Sequence, residues 1–329
     1  MPSPKIPVSV LDRANARENE TEAESLGRTI ERAQKTEELG YRRFWVAEHH
    51  GVPGITGSAP TVLMAALAAR TNHIRIGSGG VMLPNHQPLI VAEQISTLEA
   101  LSPGRIDLGI GRSVGFTSGV RKALRQDKEA ADGFEEDLAE LMAYLSGTAA
   151  ITARPRNHSR TPLFVLATGK GIDIATRAGL SVVLGGPALF RNDGGGHAAL
   201  NRYRRNFQPS RWYPEPYVVA SVNVAVADSS DAARELLLPE AWALACSRTR
   251  GEFPALEPAE NIDGHNPSDR ERSLIEDNLA KSVYGTAQEV AEQLESLLRF
   301  TDADELMVTG GAFDTAAQGK SDARLIELL

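Results

Sequence analysis

The chain has 329 residues, 42% of them hydrophobic, with Lys+Arg 35 against Asp+Glu 43 and a formal net charge of −8. An acidic chain with only 5% aromatic residues lacks the basic, base-stacking surface of a nucleic-acid binder. The single cysteine, Cys246, excludes a disulfide framework and any cysteine-built zinc or iron–sulfur site within one chain.

Short β-branched runs alternate with amphipathic segments almost from end to end. Pro7 to Leu11 predicts a strand, and Glu22 to Leu39 a helix closed by Gly40. Arg43 to Ala47 is the next strand, and Pro60 to Ala69 a helix that starts on proline, where a missing N–H costs nothing. Ile74 to Ser78 predicts a strand, Pro88 to Leu101 a helix and Ile106 to Gly109 a strand. Ala130 to Leu145 is helical, with Phe134, Leu138, Leu141 and Leu145 near one face. Further strands follow at Leu163 to Leu166, Ser181 to Leu184, Tyr217 to Ala227 and Glu305 to Val308. Helices at Ile172 to Ala178, Ala198 to Phe207, Ser230 to Leu237 and Glu289 to Arg299 separate or follow them.

About eight strands, each with a crossover helix, suit a (β/α)8 TIM barrel with insertions, read as one domain over residues 1–329. A doubly wound parallel sheet has the same rhythm and stays open on periodicity alone. Two segments break the pattern. Arg154 to Thr161 is a polar, proline-containing connection. Arg248 to Asn278 is rich in charge, Pro, Gly and Asn without apolar period, and reads as a structureless insertion or a mobile lid. No stretch reaches the ~18 apolar residues of a membrane span, and the N-terminus carries no apolar signal region, so a cytoplasmic protein is expected.

Four motifs fall at strand ends, where a barrel gathers its active site. The first is Glu48-His49-His50. Adjacent residues on extended chain point to opposite sides, so the two histidines would do different jobs. The pair alone is weak evidence, and without a His-x-His strand signature no metal site is expected. The second is Gly77-Ser78-Gly79-Gly80, either a simple turn or a backbone that lets a flat ligand approach closely. It is not a dinucleotide fingerprint, because no Gly-x-Gly-x-x-Gly opens a helix there. The third, Gly109-Ile110-Gly111-Arg112-Ser113, offers a guanidinium fork to an anion or to a surface ion pair. In the fourth, Ala167-Thr168-Gly169-Lys170-Gly171, free N–H groups, a hydroxyl and a lysine could receive phosphate, unless Thr168 merely caps the helix.

From Trp45 to Arg112 the sequence resembles the bacterial-luciferase-like, flavin-dependent monooxygenases. The resemblance runs through FWVAEHHGVPGITGSAP, HIRIGSGGVMLP and QPLIVAEQISTLEALSPGRIDLGIGR, aligning without a gap to the luciferase catalytic subunit. It continues through AGLSVVLGGP, RYRRNFQPS, PYVVASVNVAVAD and GTAQEVAEQLESLLRFTDADELMV, and so covers most of the chain. Arg248 to Asn278 falls where luciferase has its mobile lid loop.

The resemblance implies a luciferase-like barrel that binds FMN. It makes His49 the catalytic histidine, with His50 affecting activity through site geometry. It places Ala47, Glu48, Gly79, Gly80, Gly111, Arg112, Thr168 and Lys170 around the cofactor. Gly79–Gly80 matches a non-prolyl cis peptide lying against the flavin ring, and Arg112 and Thr168 match residues that hold its phosphate. Gly111 stands where the luciferase subunit has a reactive cysteine. Lys170-Gly171 departs from the Ser/Thr-rich phosphate segment of most relatives, with Lys170 compensating. The implied activity is a monooxygenase in which reduced FMN and O2 act through a C4a-hydroperoxide on a small organic substrate, an aldehyde or a secondary-metabolite intermediate. A separate flavin reductase would supply reduced FMN, and the family suggests a homodimer. Hydride transfer with the deazaflavin F420, or flavin binding without turnover, are the alternatives.

Overall fold

The computed structural model describes residues 6–156, 161–191 and 196–329. Part of the polar connection expected at Arg154 to Thr161 lies outside the described residues; the Arg154–Pro155 peptide that opens it is cis.

Among the described residues ten strands form the sheet: β1 (Val8–Asp12), β2 (Arg43–Val46), β3 (Arg75–Ser78), β4 (Val81–Met82), β5 (Ile106–Gly111), β6 (Leu163–Ala167), β7 (Ser181–Gly185), β8 (Val218–Val226), β9 (Val283–Gly285) and β10 (Glu305–Thr309). All their pairings are parallel. The order β10-β1-β2-β3-β5-β6-β7-β8 closes through a β10–β8 pairing, so eight strands make a barrel, while β4 pairs beside β5 and β9 beside β8. This is the (β/α)8 architecture expected from the alternation. A doubly wound open sheet is excluded by the closure.

Helices surround it: α1 (Glu22–Glu38), α2 (Pro60–Arg70), α3 (Pro88–Leu101), α4 (Ser118–Ala123), α5 (Phe134–Ser146), α6 (Lys170–Ala178), α7 (Ala198–Asn206), α8 (Ser230–Thr249), α9 (Ala259–Ile262), α10 (Asp269–Leu279), α11 (Ala287–Thr301) and α12 (Thr315–Leu328). Their starts follow local chemistry. Capping boxes, in which a hydroxyl and a glutamate three residues on exchange hydrogen bonds with backbone N–H groups, open α1 (Thr21, Glu24) and α11 (Thr286, Glu289).

Alternation sends Phe44, Val46, Ile76, Leu108, Val165 and Val182 outward into the main core under the helices. Leu11, Trp45, Phe164, Val183, Val219 and Met307 fill the barrel interior instead. Gly77 and Gly109 make room for the Trp45 indole, which occupies the space a Cβ at either position would need.

Two readings need correction. The helix beginning at Ser230 does not stop before Pro239 but runs through it to Thr249. A proline inside a helix costs about 3 kcal/mol. Here the later turns bury Trp242, Ala245 and Cys246 with Ile275 and Leu279 of α10, which offsets that loss. Second, Arg248 to Asn278 is not structureless. It holds α9 and α10, and α10 opens on a third capping box, Ser268 with Glu271. Glu257 joins this unit to α8: its Oε1 accepts from Trp242 Nε1 at 2.7 Å, and its Oε2 lies 2.7 Å from His265 Nε2.

Candidate active site

The four strand-end motifs meet at one cavity of about 650 Å³ at the C-terminal end of the barrel. Ala47, Glu48, His49, Gly79, Gly80, Gly111, Arg112, Thr168 and Lys170 all line it. His50 does not. Its Nε2 lies 2.7 Å from Glu48 Oε1, so the adjacent histidines do part company, as extended chain requires.

Glu48 is 3% exposed and lies at the centre of a hydrogen-bonded group. Its Oε1 also takes His86 Nε2 at 2.9 Å, and its Oε2 accepts the Met82 N–H at 2.8 Å. Burial pushes the Glu48 pKa up, but the bond and charge of His86, the Met82 N–H and His50 together bring it below the ordinary carboxylate value. Among the described residues no group of three or more histidine, cysteine or acidic side chains is arranged to hold a metal ion.

His49 stands differently. Its imidazole stacks on Phe116, with ring centroids 5.8 Å apart and planes 14° from parallel. Nδ1 is cut off from solvent and has no hydrogen-bond partner. Burial, then the charge of Arg13, lower its pKa from 6.5 to about 4, although Glu48 opposes them. The ring is therefore neutral at pH 7. This corrects the simple expectation of a histidine titrating near neutrality: it meets a ligand as a neutral imidazole.

The Gly79–Gly80 peptide is cis. A Cβ on Gly80 would come within 2.8 Å of the Gly109 carbonyl, whereas one on Gly111 would meet nothing within 4 Å. The first glycine lets two strand ends approach, and the second leaves the cavity open in front of it.

On the β5–β6 side the lining becomes polar. Arg112 makes only loose contacts, 3.3 Å to the Ala131 carbonyl and 3.7 Å to Asp132, a carboxylate whose side chain is 80% exposed. Its guanidinium keeps donors to spare. Thr168 does not cap α6; the cap position is Gly169, and no side chain caps the helix. The first N–H groups of α6 thus face the same side as Thr168, Lys170 and Arg112, a set of donors suited to phosphate. Leu11, Met82, Leu166 and Val183 give the cavity its apolar lining, with Phe116 beside His49. One polar side, an apolar floor and a glycine wall fit a flat ring carrying a phosphorylated tail.

The sequence reading missed His86, Phe116, Gly185, Gly186 and Ser221. Gly185-Gly186 had a signal, since they end a strand just as Gly79-Gly80 do. Phe116 and His86 had none, because both stand on loops with no periodic pattern.

The chain matches the family model of luciferase-like monooxygenases over residues 6–302. It belongs to that family. A luciferase-like monooxygenase of Escherichia coli (strain K12) is 37% identical over 322 residues, covering 95% of this chain and 94% of the relative. An N-acetyl-S-alkylcysteine monooxygenase of Bacillus subtilis is 41% identical over 212 residues, covering 61% of this chain and 62% of its own. Among solved structures, apo-MsnO8 superposes with a TM-score of 0.85 at 32% identity and 98% coverage of both chains. The fold is shared with the oxygenating constituent of 3,6-diketocamphane monooxygenase in complex with FMN (TM-score 0.70, 17% identity, 98% and 97% covered). It is shared too with an F420-dependent secondary alcohol dehydrogenase (0.71, 15%, 99% and 98%).

Proposed function

We propose that the protein is an FMN-dependent monooxygenase that oxygenates a small organic substrate, an aldehyde or a secondary-metabolite intermediate. The reading is carried by the division of the cavity into a phosphate-binding side and an apolar side beside a neutral histidine. Arg112, Thr168, Lys170 and the first N–H groups of α6 hold the FMN phosphate. Gly79–Gly80, Gly111, Leu11 and Val183 would wall the ring. Reduced FMN, when bound, would supply the two electrons that activate O2, with one oxygen atom going to the substrate and the other to water.

The protein's own residues do the rest. The apolar floor keeps water from the reacting face. His49, neutral and lining the cavity, accepts or returns a proton beside the ring. Phe116, 63% exposed yet stacked on His49, offers a flat apolar surface to the substrate. Residues 248–278 act as a lid. Their backbone joins the loops after β1 and β2, through Leu256 N–H to Ala16 O at 2.8 Å and Gly54 N–H to Phe253 O at 2.9 Å, although none lines the cavity here. The protein works in the cytoplasm, where a separate flavin reductase supplies the reduced cofactor. Two copies pair as a homodimer, as the family resemblance suggests.

The test is oxygen transfer itself. Purified protein, reduced FMN from an added reductase and 18O2 are incubated with a long-chain aldehyde and with an N-acetyl-S-alkylcysteine. Incorporation of one 18O atom into either product supports the reading. Tight binding of F420 with no affinity for FMN would replace it with hydride transfer. FMN binding with no oxygenation of a broad substrate panel would point to a binder without turnover.

A further inference from the structure

The Glu48 carboxylate ties several parts of the cavity wall together. Glu48 precedes His49 at the end of β2, and its Oε2 holds the Met82 N–H. Met82 lies two residues beyond Gly80 and pairs with Gly111, the neighbour of Arg112. The same carboxylate is held from its other oxygen by His50 and His86. His50 is a local partner on the same strand end. His86 follows the short turn Leu83–Asn85, 38 residues along the chain from Glu48, and does not line the cavity.

A buried carboxylate stays in one place only while its lone pairs are taken up. With His50 alone on Oε1, Glu48 would be held there by its own strand end. With His86 added, the end of β2, β4 and the turn at 83–86 become one hydrogen-bonded frame around the ligand. Site groups keep productive geometry when their supports are themselves fixed in this way.

We propose that His86 is a positioning residue: through Glu48 it sets the placement of His49 and of the Gly80–Met82 wall. The proposal rests on the flavin reading only for its choice of FMN as probe. His86 touches neither the cavity nor the ligand, so its whole effect passes through Glu48.

The test compares wild type, His86→Leu, His86→Gln, Glu48→Gln and the His86→Leu/Glu48→Gln double variant. FMN affinity is read by quenching of flavin fluorescence, and the His49 ring protons by NMR in flavin-free protein, assigned with a His49→Asn variant. Loss of a charge-assisted hydrogen bond at a buried carboxylate is expected to weaken FMN binding about tenfold in His86→Leu. His86→Gln, whose amide also donates, should recover most of that loss, and the His49 signals should shift in the first variant and return in the second. The double variant should bind no worse than the weaker single one. If no variant binds FMN while the His49 signals still respond to His86→Leu, the flavin reading fails and the positioning role stands. Unchanged affinity together with unchanged His49 signals in His86→Leu, or losses that simply add in the double variant, would overturn the proposal.

Discussion

The two ends of the barrel treat their polar groups in opposite ways. At the N-terminal end, Arg43 is buried between Asp107 and Glu305, at 2.7 Å and 2.9 Å. Arg75 and Trp45 add bonds to Asp107, and the Tyr217 and Ser9 hydroxyls add bonds to Glu305. Burial would lower the Arg43 pKa, but the two carboxylates hold it firmly protonated. At the C-terminal end His49 Nδ1 has no partner, α6 has no side-chain cap and Arg112 makes only loose contacts. One end spends its charges on itself; the other, apart from Glu48 and its two histidines, leaves Arg112 for a ligand. Removing a group from the first should therefore damage stability, and removing one from the second should damage function.

The largest effect is expected at the closed end. Asp107→Ala strips two arginines and an indole of their acceptor. Breaking a buried pair from one side typically costs about 3–5 kcal/mol, and here the buried Arg43 would keep Glu305 as its one carboxylate partner. Urea unfolding should show that loss as a lower midpoint with an unchanged slope. A loss below about 1 kcal/mol would mean that the network is open to water, and that the contrast between the ends is false.

At the open end the order reverses. His49→Ala should keep its melting temperature and FMN affinity but lose product formation by about 10²-fold or more, the usual contribution of a positioned acid–base group. Its pH behaviour has a definite sign. The folded pKa of about 4 lies below the ordinary 6.5, so the unfolded chain takes up this proton first. The stability associated with a neutral His49 is complete above pH 6.5 and is lost as the pH falls toward 4. An NMR titration showing a His49 pKa near 6.5 would remove the argument for a neutral ring. Arg112→Ala should leave folding intact and weaken FMN by about 1.5–3 kcal/mol, measured by calorimetry, through loss of a charge-assisted phosphate contact. Equal affinity in the variant would move the phosphate elsewhere.

The same contrast explains what could be read in the sequence. The barrel was legible because strands buried on both faces write continuous apolar runs, as in RFWVA and SVVLG, and the site because its glycines and charges interrupt those runs where each strand ends. The closed-end network was not legible. Arg43, Asp107 and Glu305 lie within predicted strands far apart in sequence, and only barrel closure brings them together. The low pKa of His49 likewise comes from burial and from Arg13, a residue on another strand end. Pro239 misled for a related reason, since a breaker weighs heavily in local reasoning and tertiary burial outweighed it.

Residues 248–278 supply the smallest expected effect and a test of the lid. The sequence NPSDRERSLIEDNL reads as polar loop until Ser268 and Glu271 are taken as a capping box, with Ile275 and Leu279 four residues apart on one buried stripe. Ser268 accepts from the Glu271 N–H, and Glu271 Oε2 accepts the Ser268 N–H at 2.8 Å. Glu271 is further held by Arg250 at 2.8 Å, so the cap also fastens the start of α10 to the end of α8. Ser268→Ala removes one acceptor from this reciprocal pair and should cost about 1 kcal/mol. If 248–278 opens as a unit, amide exchange across Asp269–Leu279 should quicken about fivefold in the variant while the barrel strands exchange as before. If α10 opens only when the whole barrel unfolds, strands and helix will quicken together. The segment would then belong to the closed, self-satisfied part of the molecule, and a lid would have to be sought in another loop at the site.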